Sequence, residues 1–360
     1  MYVDKLALKN FRNYEILEMF FSPGINILYG DNAQGKTNVL EAIYMTATTK
    51  SHRNSKDKDI IKIGCDESHI RLELKKREVG HRIDMHLRRS KPKGVAIDGI
   101  PIRRSTELFG LINIIVFSPE DMSVVKRGPG ERRRFMDMEI CQLSRLYYSN
   151  LLKYNKILDQ RNNLLKQIAF SHKKDLEDTL DVWDKQLVDA GSDIIREREN
   201  FIKMMNEIIN EIHLELTDNK EHIKLVYEKN IEIDKYEKVL KEKRKTDIKY
   251  AMTMTGPQRD DIGIYINDDD VRLYGSQGQQ RTSALSLKLS EIELVRKIIN
   301  DKPILLLDDV MSELDSKRRD ALLGSIDDIQ TIITCTGYDD FIKERLKVDK
   351  VYKISEGNIV

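Results

Sequence analysis

The chain has 360 residues, of which 40% are hydrophobic and 34% are charged, with a formal net charge of +1; it is long enough for two domains and a substantial core. No run approaches 18 consecutive apolar residues and Met1–Lys9 alternates, which excludes a membrane span and a signal peptide and predicts a cytoplasmic protein. Three cysteines (Cys65, Cys141 and Cys335) without C-x-x-C spacing indicate reduced thiols and argue against a structural zinc.

The first elements are predicted from alternation and from turn residues. Val3–Lys9 and Glu15–Phe21 alternate like two paired strands, and Pro23-Gly24 turns the chain into a short apolar strand, Ile25–Tyr29. Beyond residue 37, apolar residues recur at helical spacing as far as Ala47. The segment between them is therefore predicted to be a loop that joins a buried strand to a helix.

This loop reads G-x-x-x-x-G-K-T, which is the P-loop pattern. Its residues are Gly30, Asp31, Asn32, Ala33, Gln34, Gly35, Lys36 and Thr37. The glycines let backbone N–H groups turn toward phosphate oxygens, and the helix N-terminus adds partial positive charge. Lys36 would reach the β- and γ-phosphates, and the Thr37 hydroxyl would ligate Mg²⁺. A chance match in a glycine turn is the alternative, but the flanking strand and helix favour a nucleoside-triphosphate site.

Residues 50–117 are predicted to be mostly β-structure. An antiparallel sheet is indicated by Ile70–Leu74, Arg82–Leu87, Val95–Ile97 and Ile100–Ile102, with Asp98-Gly99 as a two-residue hairpin turn. Leu111–Phe117 is a fully apolar strand, and Ser118–Asp121 after it has the composition of a helix start.

From about Gly130 to Leu216 the apolar residues recur at helical spacing instead of alternating. Two amphipathic helices with a polar break at Ser171–Lys174 predict an antiparallel helical hairpin. Each helix would be roughly 55–60 Å long at most. A free arm and a helical lobe docked on the globular body fit the pattern equally well.

The C-terminal 140 or so residues are predicted to return to mixed structure. Ile223–Tyr227 is a strand, and Asp234–Lys249 is either a helix or a solvated connector. Asp261–Ile266 and Val271–Tyr274 are predicted to form a hairpin around the acidic turn 267–270, which lacks the spacing of an EF-hand. The remaining predicted elements are a helix up to about Asn300, strands at Ile304–Leu307 and Thr331–Thr334, a helix from Ser316 and a short hairpin at residues 356–358.

The strand Ile304–Leu307 ends in Asp308-Asp309, which suits the second half of a P-loop site. Asp308 would hold Mg²⁺ together with Thr37, and Asp309 would orient or deprotonate the attacking water, with Lys36 as the catalytic cation. About 270 residues separate the two halves of this site. The strands and helices between them are therefore predicted to be an insertion into one ATPase head.

Gly275–Arg281 resembles the L-S-G-G-Q motif of the ATP-binding cassette superfamily. The matching residues are Ser276, Gln277, Gly278 and Gln279. A serine hydroxyl, a glycine and a helix N-terminus together favour a phosphate, although an ordinary polar helix cap is the alternative. In that superfamily the motif completes the site of a second subunit, so the resemblance implies an ATP-dependent head-to-tail homodimer. Residues 312–315 match the D-loop that crosses such an interface.

Taken together, the sequence blocks resemble the RecF family of bacterial recombination mediators, which are related to SMC heads. The blocks are Leu8–Tyr14, the P-loop with 38–43, Phe117–Asp121, Gly256–Asp261, Gly275–Arg281 and Leu306–Val310. The resemblance covers the whole chain and implies an α/β fold: an ABC/SMC-type P-loop ATPase head with a mixed sheet and an antiparallel β subdomain at about 50–110. The head would comprise 1–130 and 217–360, and a helical-hairpin lobe 131–216.

The resemblance also implies the function. The chain would bind ATP and Mg²⁺, with Arg12 among the nucleotide-binding residues, and act as a weak DNA-stimulated ATPase that serves as a switch. Its ATP-bound dimer would bind duplex DNA near single-strand gaps and, with RecR and RecO, help RecA replace single-strand-binding protein. No Gln follows Leu111–Phe117 and no His lies near Thr334, so the γ-phosphate sensors of other cassette proteins are not found here. A transporter ATPase subunit and an SMC-like DNA clamp are the rival interpretations.

Charge provides the candidate DNA contacts. Residues 50–134 carry 21 Lys and Arg against 12 Asp and Glu, an excess that suits the phosphate backbone. The candidates are Arg53, Lys56, Lys75, Lys76, Arg88, Arg89, Lys91, Arg132, Arg133 and Arg134. For any one of them a merely solvated surface charge is an equal alternative.

The short side chain of Asp309 affects the expected rate of ATP hydrolysis. Most cassette and SMC heads have Glu after the Mg²⁺-binding Asp, whereas the carboxylate of Asp309 reaches about 1.5 Å less far. Misplacement of about 1 Å can cost roughly a hundredfold in rate. The sequence therefore predicts slow hydrolysis and a long-lived ATP-bound state.

Overall fold

The computed structural model describes residues 1–53, 55–171, 176–312, 314–326, 328–337 and 347–360. They form two compact units, one of Met1–Asp121 with Leu285–Val360 and one of Met122–Ala284. Among the described residues, no helix has the length and apolar character needed to cross a membrane.

The elements in chain order are as follows. The strands are β1 (Tyr2–Phe11), β2 (Tyr14–Phe20), β3 (Ile25–Tyr29), β4 (Glu67–Lys76), β5 (Val79–Arg88), β6 (Gly94–Ile97), β7 (Ile100–Pro101), β8 (Ile114–Phe117), β9 (Ile223–Glu228), β10 (Asp261–Ile266), β11 (Asp269–Asp270), β12 (Ile304–Asp308), β13 (Thr331–Cys335), β14 (Val348–Ser355) and β15 (Asn358–Ile359). The helices are α1 (Lys36–Thr48), α2 (Asp57–Ile60), α3 (Met122–Lys126), α4 (Pro129–Leu143), α5 (Arg145–Ser171), α6 (Leu180–Leu216), α7 (Tyr236–Glu242), α8 (Arg244–Tyr250), α9 (Val271–Tyr274), α10 (Gln277–Ile299) and α11 (Ser316–Ser325).

In the first unit, a sheet in the order β15-β14-β3-β13-β12-β8 positions the P-loop. Neighbouring strands of this sheet are parallel, except that β14 and β15 are antiparallel to each other. Strands β12 and β13 are buried throughout, as expected of parallel strands covered on both faces. Because parallel strands end at the same edge, the loop that follows β3 and the last residue of β12, Asp308, lie at that edge. In register, Thr334 of β13 stands between Leu28 and Asp308.

The other sheet of this unit is antiparallel, in the order β2-β1-β4-β5-β6-β7. Residues on its strands alternate between a buried face and an open face, as in β4 and β5. The predicted Asp98-Gly99 turn has φ angles of 53° and 82°, which a two-residue hairpin of type I′ requires. The sheet is larger than the subdomain predicted at about 50–110, because β1 pairs with β4 and brings β2 with it.

In the second unit, α5 and α6 pack antiparallel along their length. Contacts join Tyr147 to Arg198 and Arg161 to Asp184. Near the link, Leu165, Ile168 and Leu180 form a buried cluster that Ile248 of α8 also contacts. The helical pair therefore packs against other elements of its own unit and is not a free hairpin, while its docking on the globular body stays a prediction. Residues 172–174 of the predicted break lie outside the described residues.

The predicted hairpin at Asp261–Ile266 and Val271–Tyr274 is wrong in its second strand. Residues 271–274 form the helix α9, because the Asp270 side chain accepts hydrogen bonds from Arg272 N (2.8 Å) and Leu273 N (3.2 Å) and so caps a helix start. Strand β10 pairs along its length with β9, and only its last two residues pair with the short strand β11. Residues 234–249, left open between helix and connector, form α7 and α8 with Tyr236 and Leu240 buried.

The second unit is larger than the predicted helical lobe. It also contains residues 217–284, which the sequence pattern places in the ATPase head. The reason is packing: Asn206 of α6 bonds both backbone groups of Leu225 in β9, and Arg132 of α4 pairs with Asp261 in β10. The functional division into head and lobe stays a prediction.

Candidate functional site

Two glycines determine the backbone of the P-loop. Gly30 has a φ of 150° and Gly35 a φ of 115°, both in the region that favours glycine. A Cβ at Gly30 would overlap the carbonyl oxygen of Ile354, and one at Gly35 would lie 2.6 Å from Asn13 Nδ2 and 2.8 Å from Tyr14 Oη. The loop therefore has a conformation and a close packing that only glycine permits at these positions.

Neighbouring turns brace the loop. Asn13 Nδ2 donates to the carbonyl of Gln34 (2.9 Å), and the Tyr14 hydroxyl donates to the carbonyl of Gly35 (3.1 Å). From the C-terminal hairpin, Gly357 N donates to the same Gln34 carbonyl (3.2 Å). Sequence reasoning missed these three supports. The only signal for them was that Asn13 and Tyr14 belong to the first family block.

Lys36 and Thr37 begin helix α1, where the P-loop pattern requires them. The Lys36 ammonium group is buried and donates to the carbonyls of Gly30 (2.7 Å) and Asp31 (2.8 Å), so it lies inside the curve of the loop. Asp31, Asn32 and Ala33, at the tip, are exposed. This arrangement suits a polyphosphate, because a cation lies where the loop closes and its outer residues remain accessible.

The Thr37 hydroxyl donates to Asp308 Oδ1 at 2.8 Å, which joins the two halves of the predicted site. Thr334 Oγ1 donates to the same oxygen, also at 2.8 Å. A hydroxyl and a carboxylate are hard oxygen ligands of the kind that Mg²⁺ prefers. These residues therefore fit a Mg²⁺–nucleotide, with Thr37 and Asp308 as the metal ligands. Thr334 was not predicted, since its role depends only on the strand register.

Asp309 directly follows Asp308 and has a left-handed conformation, with a φ of 52°. Its N–H donates to Thr334 Oγ1 at 3.0 Å. Burial raises the pKa of its carboxyl, Lys36 opposes that shift, and the charge of Asp308 adds to it, so the pKa lies above the ordinary value. A carboxylate of raised pKa is a stronger base toward water. Asp309 thus has the chemistry of the predicted general base.

Arg12 braces the P-loop helix. Its Nε and Nη2 donate to the two carboxylate oxygens of Glu41 at 2.8 and 2.6 Å, and Nη1 donates to the carbonyl of Asp59 at 2.9 Å. Burial raises the pKa of Glu41, but hydrogen bonds from Arg12 and Ser51 and the charge of Arg12 outweigh it and hold that pKa below its usual value. The binding of nucleotide by Arg12 stays a prediction.

The cassette-like segment forms the N-terminus of α10. Ser276 Oγ accepts from Gln279 N (3.2 Å), and Gln279 Oε1 accepts from Ser276 N (2.9 Å), which is a reciprocal helix cap. Ser276, Gln277 and Gly278 are exposed. The segment therefore has the geometry of an ordinary cap and is also accessible to a second molecule, so its role at a partner's phosphate stays a prediction.

Five of the predicted DNA contacts come together at one end of the antiparallel sheet, which we call the basic end: Arg53, Lys56, Arg88, Arg89 and Lys91. The turn between β5 and β6 reaches the 49–57 loop because Lys93 bonds Asp57 Oδ1 at 3.0 Å and the carbonyl of Thr49. Arg89 Nε donates to the carbonyl of Cys65 at 2.7 Å. The Arg53, Lys56, Arg89 and Lys91 side chains are exposed, and Arg88 is partly so.

Lys75 and Lys76, in the same sheet, do not join the basic end. In register, Lys75 lies opposite Gly80 while Arg88 lies opposite Glu67, so Lys75 is at the far end of the sheet, about 26 Å away by strand rise. Lys76 donates to the carbonyls of Gly110 and Leu111.

In the second unit, Arg132 is 3% exposed and its guanidinium is paired with both carboxylate oxygens of Asp261 at 2.7 Å. Arg133 Nη1 donates to the carbonyl of Asp260 at 2.7 Å, and Arg134 is partly exposed. We therefore withdraw Arg132 from the DNA surface, because its guanidinium is buried and paired with Asp261.

The parallel sheet, the braced P-loop and the Thr37–Asp308 bond define a class of protein, the ABC/SMC-type P-loop ATPase heads. The family model described as the RecF/RecN/SMC N terminal domain matches residues 2–359. The chain belongs to this family, and within it to the RecF proteins.

Full-length relatives support this assignment. The chain is 59% identical to the DNA replication and repair protein RecF of Lachnoclostridium phytofermentans and 56% identical to that of Lachnospira eligens, over 100% of this chain and 99% of each relative. Among solved structures, the recombination mediator RecF with ATP, of the RecFOR pathway, is 34% identical with a TM-score of 0.93, covering 100% of this chain and 97% of that one. An Smc head bound to the C-winged helix domain of ScpA shares the fold, with a TM-score of 0.59 and 16% identity over 100% and 97% of the two chains.

Proposed function

We propose that this chain is an ATP-dependent DNA-binding switch that acts in bacterial DNA repair and replication. The observation that carries the proposal is the 2.8 Å hydrogen bond from Thr37 to Asp308, which unites a P-loop with a strand-end carboxylate. The names of the full-length relatives support a role in DNA replication and repair. The solved RecF–ATP complex supports ATP as the nucleotide.

The nucleotide's phosphates would lie against the backbone of residues 30–35 and the Lys36 ammonium group, and Thr37 and Asp308 would hold Mg²⁺. A bound Mg²⁺ supplies charge neutralisation for phosphoryl transfer. Asp309 would accept a proton from the attacking water, since its pKa is raised and it adjoins the metal ligands. Its short side chain favours slow turnover, which suits a switch or timer rather than a motor.

The proposal includes an ATP-dependent homodimer. Ser276, Gln277, Gly278 and Gln279 lie at an exposed helix N-terminus, where partial positive charge favours the phosphate of a second molecule. Each monomer would bind ATP through its own P-loop, and a second copy would complete the site, so ATP binding would favour dimerisation.

The dimer would bind duplex DNA near single-strand gaps, through phosphate contacts at the basic end. Such contacts position a protein on DNA without reading its sequence. RecR and RecO would be its protein partners in a cytoplasmic pathway that helps RecA replace single-strand-binding protein in recombinational repair and replication restart. The pathway name carried by the solved RecF structures supports this part.

The rival interpretations make different demands. An ATPase subunit of a transporter needs a coupling surface for a membrane partner, and an SMC-like clamp needs long projecting arms. In this chain α5 and α6 are docked within their own unit, which argues against such arms. The full-length relatives also favour the repair protein over both rivals.

The test is ATP turnover by the purified chain with and without duplex or gapped DNA. We expect slow turnover that DNA stimulates, and we expect Lys36→Ala to lose nucleotide binding, because the main cation at the phosphates is removed. Lys302→Ala is the matched control, since Lys302 pairs with Asp328 near the surface. Unchanged ATP affinity in Lys36→Ala would overturn the site, and turnover indifferent to DNA would favour the transporter interpretation.

A further inference from the structure

A cluster of metal-ligating side chains lies on the open face of the antiparallel sheet, and the proposed function does not use it. Glu67 and His69 are two residues apart on β4, so both project from the same face. His86 lies on β5 directly opposite His69 in the register. The pairing of two long strands therefore fixes the backbone positions of the three residues, independently of any loop conformation.

The ligand atoms are close enough to share one ion. Glu67 Oε2 lies 2.8 Å from His86 Nε2, and Glu67 Oε1 lies 3.6 Å from His69 Nε2. One ligand atom from each of the three residues lies within 4.8 Å of the other two. A zinc ion at about 2.0–2.1 Å from each ligand would require spacings of about 3.4 Å. Small rotations of these partly exposed side chains would reach that spacing.

We propose that Glu67, His69 and His86 form a binding site for a divalent transition metal of the zinc class, with the remaining coordination positions open to water. Imidazole nitrogens suit zinc, copper and nickel, whereas Mg²⁺ takes oxygen ligands. The site therefore differs in chemistry from the all-oxygen pair Thr37 and Asp308. Metal bound here would join β4 to β5 through their side chains.

The surrounding charges permit such a site. Arg71 is paired with Asp84 (2.6 Å), and Arg88 donates to the carbonyl of Pro92 (2.9 Å), so two nearby cations are engaged by other groups. Lys9, opposite His69 on β1, is a third cation on this side of the sheet.

The stacked rings offer a second reason to expect a ligand. The imidazoles of His69 and His86 have centroids 4.1 Å apart and planes 18° apart. A metal ion shared by both rings would hold two imidazoles this close together. The competing explanation is a trio held together by hydrogen bonds alone, and it predicts no stoichiometric metal.

The test is Zn²⁺ binding by the full chain after metal removal, without nucleotide, by equilibrium dialysis against buffered Zn²⁺. A Cys65→Ser background removes a nearby partly exposed thiol. We expect the Cys65→Ser chain to bind one Zn²⁺ more than the same chain with the double substitution His69→Gln/His86→Gln. Glu67→Gln should lower the affinity for this Zn²⁺ by at least about tenfold. The matched control is His81→Gln, because His81 pairs with Asp98 at 2.9 Å but belongs to no three-ligand cluster among the described residues.

A spectroscopic measurement completes the test. Co²⁺ in place of Zn²⁺ should give a visible absorption band that the double variant lacks and that His81→Gln keeps, with unchanged far-UV circular dichroism in all variants. Equal Zn²⁺ stoichiometry in the parent chain and the folded double variant would overturn the proposal and leave a hydrogen-bonded trio. Neither result bears on ATP binding, which all these variants should retain.

Discussion

At the residue scale, the backbone at Asp309 limits which side chains can serve the proposed hydrolytic site. Its φ of 52° is a conformation that Asp and Asn accept more readily than most residues. Asp309→Asn should therefore keep the fold, ATP binding and Mg²⁺ dependence while turnover falls about a hundredfold or more, since the proton acceptor is removed. Asp308→Asn should instead weaken the dependence on Mg²⁺. Steady-state turnover at several Mg²⁺ concentrations distinguishes the two, and a fully active Asp309→Asn would show that another residue positions the water.

Glu41 links the P-loop helix to the pH dependence of stability. Its pKa is lowered in the folded state from an ordinary value of 4.5, so it contributes stability that is present above that pH and is lost as the pH falls through the folded pKa. Glu41→Gln should lower the free energy of unfolding by about 1–3 kcal/mol at neutral pH. It should also flatten the loss of stability below pH 4.5.

Urea unfolding of both proteins across that pH range measures the effect. Glu15→Gln serves as the control, because its side chain is 80% exposed. An equal fall in stability for the parent chain and Glu41→Gln below pH 4.5 would contradict the role assigned to the Arg12–Glu41 pair.

The residues that sequence reasoning could identify are those carried by a local pattern. Lys36, Thr37 and Asp308 follow from the P-loop and from an apolar strand that ends in a carboxylate. Thr334 and Tyr14 do not follow, because each meets the site only through tertiary contacts. The ion pair of Arg132 and Asp261 escapes prediction for the same reason, since its members are 129 positions apart in the sequence.

At the element scale, the predictable elements are those with a sustained period or with clear flanking signals. The α5–α6 pair keeps one helical period over many turns, whereas the short apolar strands of the parallel sheet are indicated by branched residues and flanking turn residues rather than by a period. Residues 271–274 are too few for periodicity to distinguish a strand from a helical turn, and the Asp270 cap decides the outcome. The arrangement of the candidate cations also depends on register, which places Lys75 and Arg88 at opposite ends of β4 and β5.

The basic end yields a prediction at this scale. Reversing the charge of Arg53, Lys56, Arg88, Arg89 and Lys91 to Glu should weaken duplex binding strongly. For every phosphate that the variant no longer binds, the log–log salt slope should also fall by about 0.9. Fluorescence anisotropy with labelled duplex DNA at several salt concentrations, in the presence of ATP, measures both quantities.

Lys75→Glu/Arg77→Glu is the matched control, because it reverses exposed cations at the other end of the same sheet. Duplex affinity that survives reversal of the basic end, or that disappears in the control, would assign DNA binding to another surface.

At the scale of the whole molecule, the proposed switch makes dimerisation depend on ATP binding. The P-loop supplies one half of each proposed site, and the exposed start of α10 supplies the other half to a second copy. Such a switch would hold its DNA-bound state for as long as ATP is uncleaved. Slow turnover at Asp309 would then set the lifetime of the dimer on DNA.

The most direct test is the molar mass of the chain in solution with and without ATP and Mg²⁺, measured by light scattering. We predict that ATP doubles the mass of the parent chain and leaves Lys36→Ala monomeric. Ser276→Arg should bind ATP as a monomer with unchanged affinity and fail to dimerise, because the phosphate that Ser276 would contact belongs to the partner. A Ser276→Arg variant that loses ATP affinity yet dimerises normally would contradict the proposed switch.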